Sequence, residues 1–385
     1  MPLFNNITII GLGLIGSSIA QGAKKYRATE KVSAFDLNEE SIAEALELGI
    51  IDEGYKNLEE SVKNTDLIII CTPISTYEKI INAISPALDS RTILTDVGSV
   101  KESIIDIVTP KIQNPDNFVP AHPIAGSEKS GVLAGNKDLF LNKEFIISPT
   151  DKSSNESISK VELFWQSLGS KVENIPAREH DEIYAKSSHI PHLVSFCYAH
   201  LIIKHFKMPL SKIIDENGDE FSAFIRLAKS NAKMWTDIFL FNKKPIIKYT
   251  EENFCAENHL ISDEGDLKNI FFRIDNAKKH RQELGRYGNF KTPIDTKDLI
   301  ISFLPSFITY KLIEMVESNP RVGGGFLGMT QVILNFNNDN KNLAINNLAT
   351  CSKLLQELNN EISSLLDLIK NSDTKSIMNY LQNIK

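Results

Sequence analysis

The chain has 385 residues and a formal net charge of -7, and 42% of its residues are hydrophobic while 24% are charged. These fractions are typical of a folded globular protein with room for two or three domains, which excludes a mainly disordered chain. The negative charge and the lack of a basic tract argue against nucleic acid or an anionic membrane surface as a partner. Four widely spaced cysteines without a CxxC pair indicate reduced thiols rather than a disulfide scaffold.

The first predicted elements are a strand, a tight turn and a helix. The apolar run Ile7–Ile10 leads into a glycine-rich segment and then into a helix-forming run through Ala23. Glycines in such a turn let a pyrophosphate approach the backbone at the positive N-terminal end of the helix. We therefore expect a dinucleotide to bind at the consecutive turn residues Gly11, Gly13, Leu14, Ile15 and Gly16.

Asp36 indicates which dinucleotide is bound. The run Val32–Phe35 reads as the second strand and ends at Asp36, 20 residues after Gly16. An acid there would accept hydrogen bonds from the ribose hydroxyls and repel the extra phosphate of NADP, so the sequence favours NAD. The alternative is a glycine turn in an α/β domain that binds no nucleotide.

Up to about residue 175, short β-branched runs alternate with helical periodicity, which predicts a parallel sheet with crossover helices, a Rossmann-like α/β domain. Further strands are expected at 67–71, 92–95, 118–120 and 145–148, and helices at 39–48, 76–84 and 101–112. Since ligands bind at the carboxyl ends of such strands, Thr72 and Pro73 are candidate cofactor residues. The apolar runs singled out here, such as 67–71, are too short to span a membrane, and a cytoplasmic location is expected.

The segment 121–131 reads Ala-His-Pro-Ile-Ala-Gly-Ser-Glu-Lys-Ser-Gly and has the composition of an active site. A histidine has an unperturbed pKa of about 6.5, so His122 could take a proton from a substrate hydroxyl near neutral pH. Ser127 and Glu128 could line the site of a hydroxylated or anionic substrate. The alternative is a polar surface loop with an incidental histidine.

After about residue 178, long helical stretches replace the strands and predict a second, all-α domain. Five of the eight histidines fall between His180 and His205, but no HExxH, cysteine pair or carboxylate cluster accompanies them, so no metal is expected. His192 is expected on a helix in the active site. Arg226 could hold a substrate carboxylate through two parallel hydrogen bonds, the alternative being an ordinary salt bridge.

Together these segments resemble the prephenate dehydrogenase family. The residues that carry the resemblance lie in order between about 5 and 290: the glycine turn, Asp96–Lys101 (Asp-Val-Gly-Ser-Val-Lys), 121–131, the segment Ala177–Asp181 leading to Ser187–His192, and Arg226 followed by Met234–Ile238. The resemblance implies NAD-dependent oxidative decarboxylation of prephenate to 4-hydroxyphenylpyruvate in tyrosine synthesis. Arogenate, which carries an amine in place of the keto group, is the alternative substrate.

The resemblance also implies roles for individual residues. His122 would be the base on the ring hydroxyl, and Ser99 would orient His122 and the substrate. Ser127 and Glu128 would line the pocket. His192 would lie at the junction of substrate and nicotinamide, and Arg226 would hold a substrate carboxylate.

The chain departs from the family pattern before Arg226, where Gly218-Asp219-Glu220-Phe221 replaces a glycine-rich segment that continues with a basic residue and an aspartate. A second, degraded version, Gly323-Gly324-Gly325-Phe326, appears later with Gln331 in place of the arginine. Because the family builds its dimer from interlocked helical domains, we expect a homodimer or an internally paired monomer. The expected domains are 1–176, 177–294 and a degenerate repeat at 295–385; the alternative for the tail is an unrelated helical cap.

Two other functions fit part of the sequence. A β-hydroxyacid dehydrogenase would share the first domain but would place a lysine base on a helix of the second. A regulatory NAD-binding protein without catalysis is the other alternative, because the neighbourhood of Arg226 is eroded. Retention of Ser99, His122, His192 and Arg226 together favours the enzyme.

Overall fold

The computed structural model of the protein describes residues 2–126, 129–255, 263–283, 296–316, 321–322 and 324–384. The chain forms two compact units, Met1–Asp181 and Glu182–Lys385. The division between the units lies a few residues beyond the expected boundary at 176. The described residues after 295 belong to the same unit as the helices that follow residue 181. The separation of 177–294 from 295–385 as two domains stays a prediction.

The first unit contains a six-stranded parallel sheet with strand order β3-β2-β1-β4-β5-β6, as the alternation of apolar runs and helices predicts. Its core is formed by strands buried on both faces, such as β4, together with the inward sides of α1 and α6. The elements of this unit are β1 (Phe4–Ile10), α1 (Leu14–Lys25), β2 (Thr29–Phe35), α2 (Glu39–Glu47), β3 (Glu53–Tyr55), α3 (Leu58–Ser61), β4 (Leu67–Ile70), α4 (Tyr77–Ile84), β5 (Ile93–Asp96), α5 (Glu102–Val108), β6 (Phe118–Val119), β7 (Ala121–Pro123), β8 (Glu144–Ile147), α6 (Asn155–Ser167), β9 (Lys171–Asn174) and α7 (Ala177–Tyr184), whose last three residues belong to the second unit.

A second sheet, β7-β8-β9, was not expected. The strand expected at 145–148 belongs to this sheet, where β8 pairs antiparallel with β7 and parallel with β9. The ring of Trp165 stacks on Phe145 with centroids 3.9 Å apart and anchors β8 to α6. The pairing matters for function because β7 carries His122 opposite Ile146.

The second unit is helical throughout the part of the chain that the structure describes. Two of its helices, α8 and α13, are apolar on all sides because they are central and mostly buried. Residues Leu299–Val316 of α13 are long and apolar enough to cross a membrane, but 83% of that stretch is buried inside the protein. The helices are α8 (Ile190–Phe206), α9 (Leu210–Ile225), α10 (Ala232–Phe241), α11 (Lys243–Thr250), α12 (Glu264–Glu283), α13 (Thr296–Val316), α14 (Gly324–Met329), α15 (Asn338–Asn346), α16 (Leu348–Lys370) and α17 (Thr374–Gln382).

Candidate active site

The turn between β1 and α1 requires glycine at two positions. Gly11 has φ +102°, a left-handed conformation that other residues rarely adopt. A Cβ on Gly16 would lie 2.0 Å from the carbonyl oxygen of Gly11, so no other residue fits there without moving the turn. Gly13 is the N-cap residue of α1, and a Cβ on it would meet open space. Backbone N–H groups at this helix start are therefore accessible to an anion.

Asp36 lies at the end of β2 and is tied to the glycine turn. The backbone N–H of Leu12 donates to Asp36 Oδ2 at 2.7 Å, and that of Asn38 donates to Oδ1 at 2.8 Å. A carboxylate offers about four acceptor positions, so two remain for other donors. The structure thus brings the acid and the glycine turn together, as a ribose site needs.

The end of β4 closes against the same turn. A Cβ on Gly11 would lie 2.9 Å from Cγ2 of Thr72, which shows how closely the two loops approach each other. The hydroxyls of Thr72 and Thr76 lie 2.8 Å apart, and Thr76 also donates to the carbonyl oxygen of Pro73. Thr72 and Pro73 therefore lie beside the candidate nucleotide turn, while Leu14 and Ile15 begin α1.

A buried ion pair fixes the backbone next to His122. Lys101 Nζ donates to Asp96 Oδ2 at 2.6 Å and to the carbonyl oxygen of Ala121 at 2.5 Å, and all three residues are fully buried. The N–H of Ala121 donates to the other oxygen of Asp96. Removing one partner of such a pair costs about 3–5 kcal/mol, since it leaves a buried charge uncompensated. Asp96 and Lys101 thus position β7.

His122 belongs to a chain of hydrogen bonds. Its Nδ1 lies 2.9 Å from Nε2 of His180, and Nδ1 of His180 lies 2.8 Å from Oδ1 of Asp181. Asp181 also accepts the backbone N–H groups of Lys101 and Glu102 at 2.7 and 2.9 Å. The start of α5, strand β7 and helix α7 therefore meet at this chain.

Burial and nearby charges determine which groups of this hydrogen-bond chain carry protons. Burial lowers the pKa of His180 well below the ordinary value, and the charge of Lys101 lowers it further, so the ring is neutral. Burial raises the pKa of Asp181 to about 6, although two backbone N–H groups and Lys101 oppose the rise. At pH 7 Asp181 is mostly ionised and accepts from His180 Nδ1–H. His180 Nε2 then accepts from His122 Nδ1–H, which places the lone pair of His122 on Nε2.

Three other predicted site residues belong to the first unit. Ser99 is half-buried in the turn between β5 and α5. The hydrogen-bond partner of His122 described above is His180, which accepts from it, so a role of Ser99 in orienting His122 stays a prediction. Ser127 and Glu128 lie outside the described residues.

The helical unit brings together two predicted residues and one that sequence reasoning missed. The ring of His192, on α8, stacks on Trp235 of α10 with centroids 3.6 Å apart. Its Nδ1 lies 2.8 Å from the carbonyl oxygen of Ser188. Ser188 belongs to the wide π-helical turn Ala185–His189, which comes just before Pro191, a residue without a backbone N–H. Burial lowers the pKa of His192 to about 3, and the nearby charge of Arg226 also lowers it. His192 is therefore a neutral ring with its lone pair on Nε2.

Arg226 is exposed and begins a 3₁₀ turn, Arg226–Lys229, that packs against α8. It lies close enough to His192 to lower the pKa of that ring, so the predicted carboxylate-binding cation and the predicted polar ring share one neighbourhood. His200 and His205 have structural partners instead, the carbonyl oxygen of Tyr380 and the carboxylate of Glu357. Among the residues that the structure describes, no group of three His, Cys, Asp or Glu side chains could hold a metal ion.

His180, Asp181 and Trp235 lie in segments that carry the family resemblance, but the sequence predicts no role for them. The adjacency of His180 and Asp181 was the available signal, because a buried histidine beside a carboxylate often orients a second group. Nothing local in the sequence shows that Trp235 meets a histidine 43 positions earlier, at 192.

Comparison with known proteins identifies relatives of both parts of the chain. Residues 19–174 match the nucleotide-binding domain of prephenate dehydrogenase, and residues 176–263 match its dimerization domain. Cyclohexadienyl dehydrogenase of Zymomonas mobilis is 32% identical over 259 residues, which are 67% of this chain and 87% of that protein. Prephenate dehydrogenase of Bacillus subtilis is 30% identical over 73% of this chain and 76% of its own length.

A crystal structure of prephenate dehydrogenase from Aquifex aeolicus, in complex with hydroxyphenyl propionate and NAD+, matches with a TM-score of 0.63 and 31% identity. It covers 73% of this chain and 98% of its own. The Rossmann-like sheet, the helical unit and the sequence matches across both domains lead to one conclusion: the chain belongs to the prephenate dehydrogenase family.

Proposed function

We propose that the chain catalyses the NAD-dependent oxidative decarboxylation of prephenate to 4-hydroxyphenylpyruvate and carbon dioxide. The observation that carries the proposal is the hydrogen-bond chain from Asp181 through His180 to His122, because it prepares a neutral base. The names of the Bacillus subtilis and Lactococcus lactis relatives, both prephenate dehydrogenases, support the choice of substrate.

The glycine turn and Asp36 fit NAD. The helix start behind Gly13 would hold the pyrophosphate, and the remaining acceptor positions of Asp36 would bind the adenosine ribose hydroxyls. NAD supplies a hydride acceptor when it is bound. The carboxylate of Asp36 would disfavour the additional phosphate of NADP at the same position.

His122 is the proposed general base. Its Nε2 takes the proton of the substrate's ring hydroxyl while the hydride leaves the carbon that bears this hydroxyl. The ring carboxylate departs as carbon dioxide, and the electron pair of the broken bond completes the aromatic ring as a phenolate. The phenolate oxygen takes the proton back from His122, which gives the phenol hydroxyl of the product and restores the base. Asp181 stabilises the imidazolium that forms on His122 through the neutral ring of His180. The hydrogen bonds that orient the base are therefore already in place before the step.

Arg226 is the proposed partner of a substrate carboxylate. Its guanidinium can make two parallel hydrogen bonds to that group, which a lysine cannot reproduce. His192 stays neutral beside it, so the ring adds a polar contact without a second positive charge. The stack on Trp235 holds the ring of His192 in one orientation.

The test is a steady-state assay of the purified protein with prephenate and with arogenate, each with NAD and with NADP. We expect reduction of NAD with prephenate, and we expect His122→Asn to lower kcat on the order of a hundredfold or more with KM nearly unchanged. His205 is bonded to the carboxylate of Glu357 and has no proposed role in the reaction, so His205→Asn is the matched control and should retain kcat.

Three outcomes would contradict the proposal. Turnover with arogenate alone would replace the substrate, and no turnover with either compound would remove the activity. Near-normal kcat in His122→Asn would remove His122 as the base.

A further inference from the structure

The helical unit contains the same succession of elements twice within its described residues. Five helices, α8 to α12, precede residue 284, and five, α13 to α17, follow residue 295. Each set opens with a long, apolar, buried helix that contains a proline, Pro191 or Pro305. Each continues with a helix, a 3₁₀ turn and a further helix that starts at a capping asparagine, Asn231 or Asn337. We call the sets the first copy (residues 190–283) and the second copy (residues 296–384).

The spacing of the two copies agrees closely around the 3₁₀ turn. Three pairs of positions are each separated by 105 residues, and each pair occupies the same element of its copy: 221 and 326 lie in the helix before the turn, 226 and 331 in the turn, and 235 and 340 in the helix after it. The capping asparagines are 106 residues apart. Such similar spacing across two helices and a turn indicates one structural unit that occurs twice.

The two copies pack crosswise. Helix α8 of the first copy packs against α16 of the second, and α13 of the second packs against α12 of the first. Two pairs of contacts are reciprocal when the helices of the copies are matched in order: α10 contacts α17 while α15 contacts α12, and α9 contacts the 3₁₀ turn of the second copy while α14 contacts that of the first. Reciprocal contacts of this kind arise when two equivalent units meet across a two-fold axis.

The second copy lacks the candidate site residues of the first. Gln331 stands where the first copy has Arg226, and Asn340 stands where it has Trp235. Asn340 forms a capping box with Asn337, so its side chain is used to start α15. Ser306, next to Pro305 as His192 is next to Pro191, is fully buried. The second copy is therefore built for packing.

The glycine-rich helix α14 of the second copy lies directly on the turn that carries Arg226. A Cβ on Gly328 would be 3.9 Å from Nη2 of Arg226, and a Cβ on Gly325 would be 3.2 Å from Cδ2 of Leu227. Small residues at these positions let α14 approach the turn closely. Helix α14 of the second copy therefore lies beside the guanidinium of Arg226.

We propose that the second copy takes the place of a partner subunit: the chain is a monomer with one site, and α14 borders the carboxylate-binding position at Arg226. The match to the family's dimerization domain covers 176–263 and so falls on the first copy. The Aquifex aeolicus chain is 98% covered by an alignment that spans 73% of this chain, so this chain contains additional length equivalent to a further helical half.

The assembly is tested by sedimentation equilibrium of the full-length protein over a hundredfold range of concentration. We expect a mass near 43.1 kDa throughout. The thermal midpoint should not change on dilution, because the paired halves belong to one molecule and unfold in a unimolecular reaction. Twice that mass, with a midpoint that falls on dilution, would overturn the proposal whatever the catalytic activity.

The contact at Arg226 is tested by Gly328→Glu with Gly328→Gln as the matched control. The added carboxylate should pair with the guanidinium and compete with a substrate carboxylate, while the amide fills the same volume without charge. We expect KM for prephenate to rise at least tenfold in Gly328→Glu and to change less than threefold in Gly328→Gln, with the monomer mass kept in both.

The KM comparison rests on the proposed function, whereas the mass and the thermal midpoint do not. An equal rise of KM in both variants would assign the effect to bulk and overturn the electrostatic contact. Unchanged KM in both would show that α14 does not border the substrate carboxylate.

Discussion

The proton on the ring of His122 is placed by two residues that do not react. His180 is neutral because it is buried, and it has one nitrogen on His122 and the other on Asp181. An ionised carboxylate at 181 accepts only, so every hydrogen bond in the chain points toward it. The orientation of two rings is thus controlled by the charge of one side chain, and Asp181 is a positioning residue.

Replacing Asp181 with asparagine should reverse the direction of the hydrogen bonds from residue 181 through His180 to His122. The amide N–H₂ can donate to Nδ1 of His180. The ring of His180 then carries its proton on Nε2 and donates it to His122, so that Nδ1 of His122 becomes an acceptor. His122 Nε2 would be protonated and unable to act as a base. We expect kcat to fall at least tenfold with KM nearly unchanged, measured by steady-state kinetics with prephenate.

The matched control is Asp138→Asn, which removes a carboxylate from an exposed pair with Lys25 and should leave kcat unchanged. A fall in kcat together with a large rise in KM in Asp181→Asn would indicate general damage, since Asp181 also accepts two backbone N–H groups of α5. Equal kcat in the wild type and in Asp181→Asn would remove the orienting role.

At the scale of elements, one strand-turn-helix unit and the end of the next strand form the proposed nucleotide site. Gly11 and Gly16 permit the turn, and Asp36 binds the N–H of Leu12 and so locks the turn to β2. The carboxylate therefore holds the backbone of the turn, and in the proposed function it would also bind the ribose. Its substitution should change selectivity and loosen the turn together.

Asp36→Ser is expected to relax the preference for NAD. Removing the carboxylate removes the repulsion of a ribose phosphate, while serine can still bind one hydroxyl. The ratio of kcat/KM for NAD to that for NADP should fall at least tenfold. Asp52→Ser, which removes a carboxylate bonded to Lys24 and to the N–H of Val32, is the control and should retain the wild-type ratio. Equal or better efficiency of the wild type with NADP would contradict the assignment.

At the scale of the whole molecule, buried neutral histidines link folding to pH. Burial lowers the pKa of His192 to about 3, whereas in the unfolded chain a histidine takes up its proton near pH 6.5. Between these values the unfolded state binds the additional proton. The contribution of His192 to stability is therefore complete above about pH 6.5 and is lost as the pH falls toward 3. The lowered pKa of His180 acts in the same direction.

His192→Gln should reduce this acid sensitivity. On lowering the pH from 7.5 to 5, the wild type should lose up to about 2 kcal/mol more of its unfolding free energy than the variant, since each pH unit below 6.5 contributes about 1.4 kcal/mol. Urea unfolding at both pH values measures the difference. Parallel losses in both proteins would show that His192 is not kept neutral by the fold.

The sequence by itself determined the features that local patterns encode. The glycine turn, Asp36 at the end of β2, the strands of the parallel sheet and the change to an all-α second part are all readable along the chain, because apolar periodicity and turn chemistry act over a few residues. The motif around His122 pointed to a family, and the comparisons showed that the chain belongs to it.

Only the tertiary structure decided which distant residues meet. Strand β7 is three residues long and exists because it pairs with β8, and the residues of β3 and β9 likewise become strands through their neighbours. His180 reaches His122 across 58 positions because Lys101, Asp96 and Asp181 hold β7, α5 and α7 together. The crosswise packing of the helical copies depends in the same way on contacts between segments remote in sequence. Such contacts are set by the closure of the core, and hydrophobic patterning records which faces are buried without recording what they are buried against.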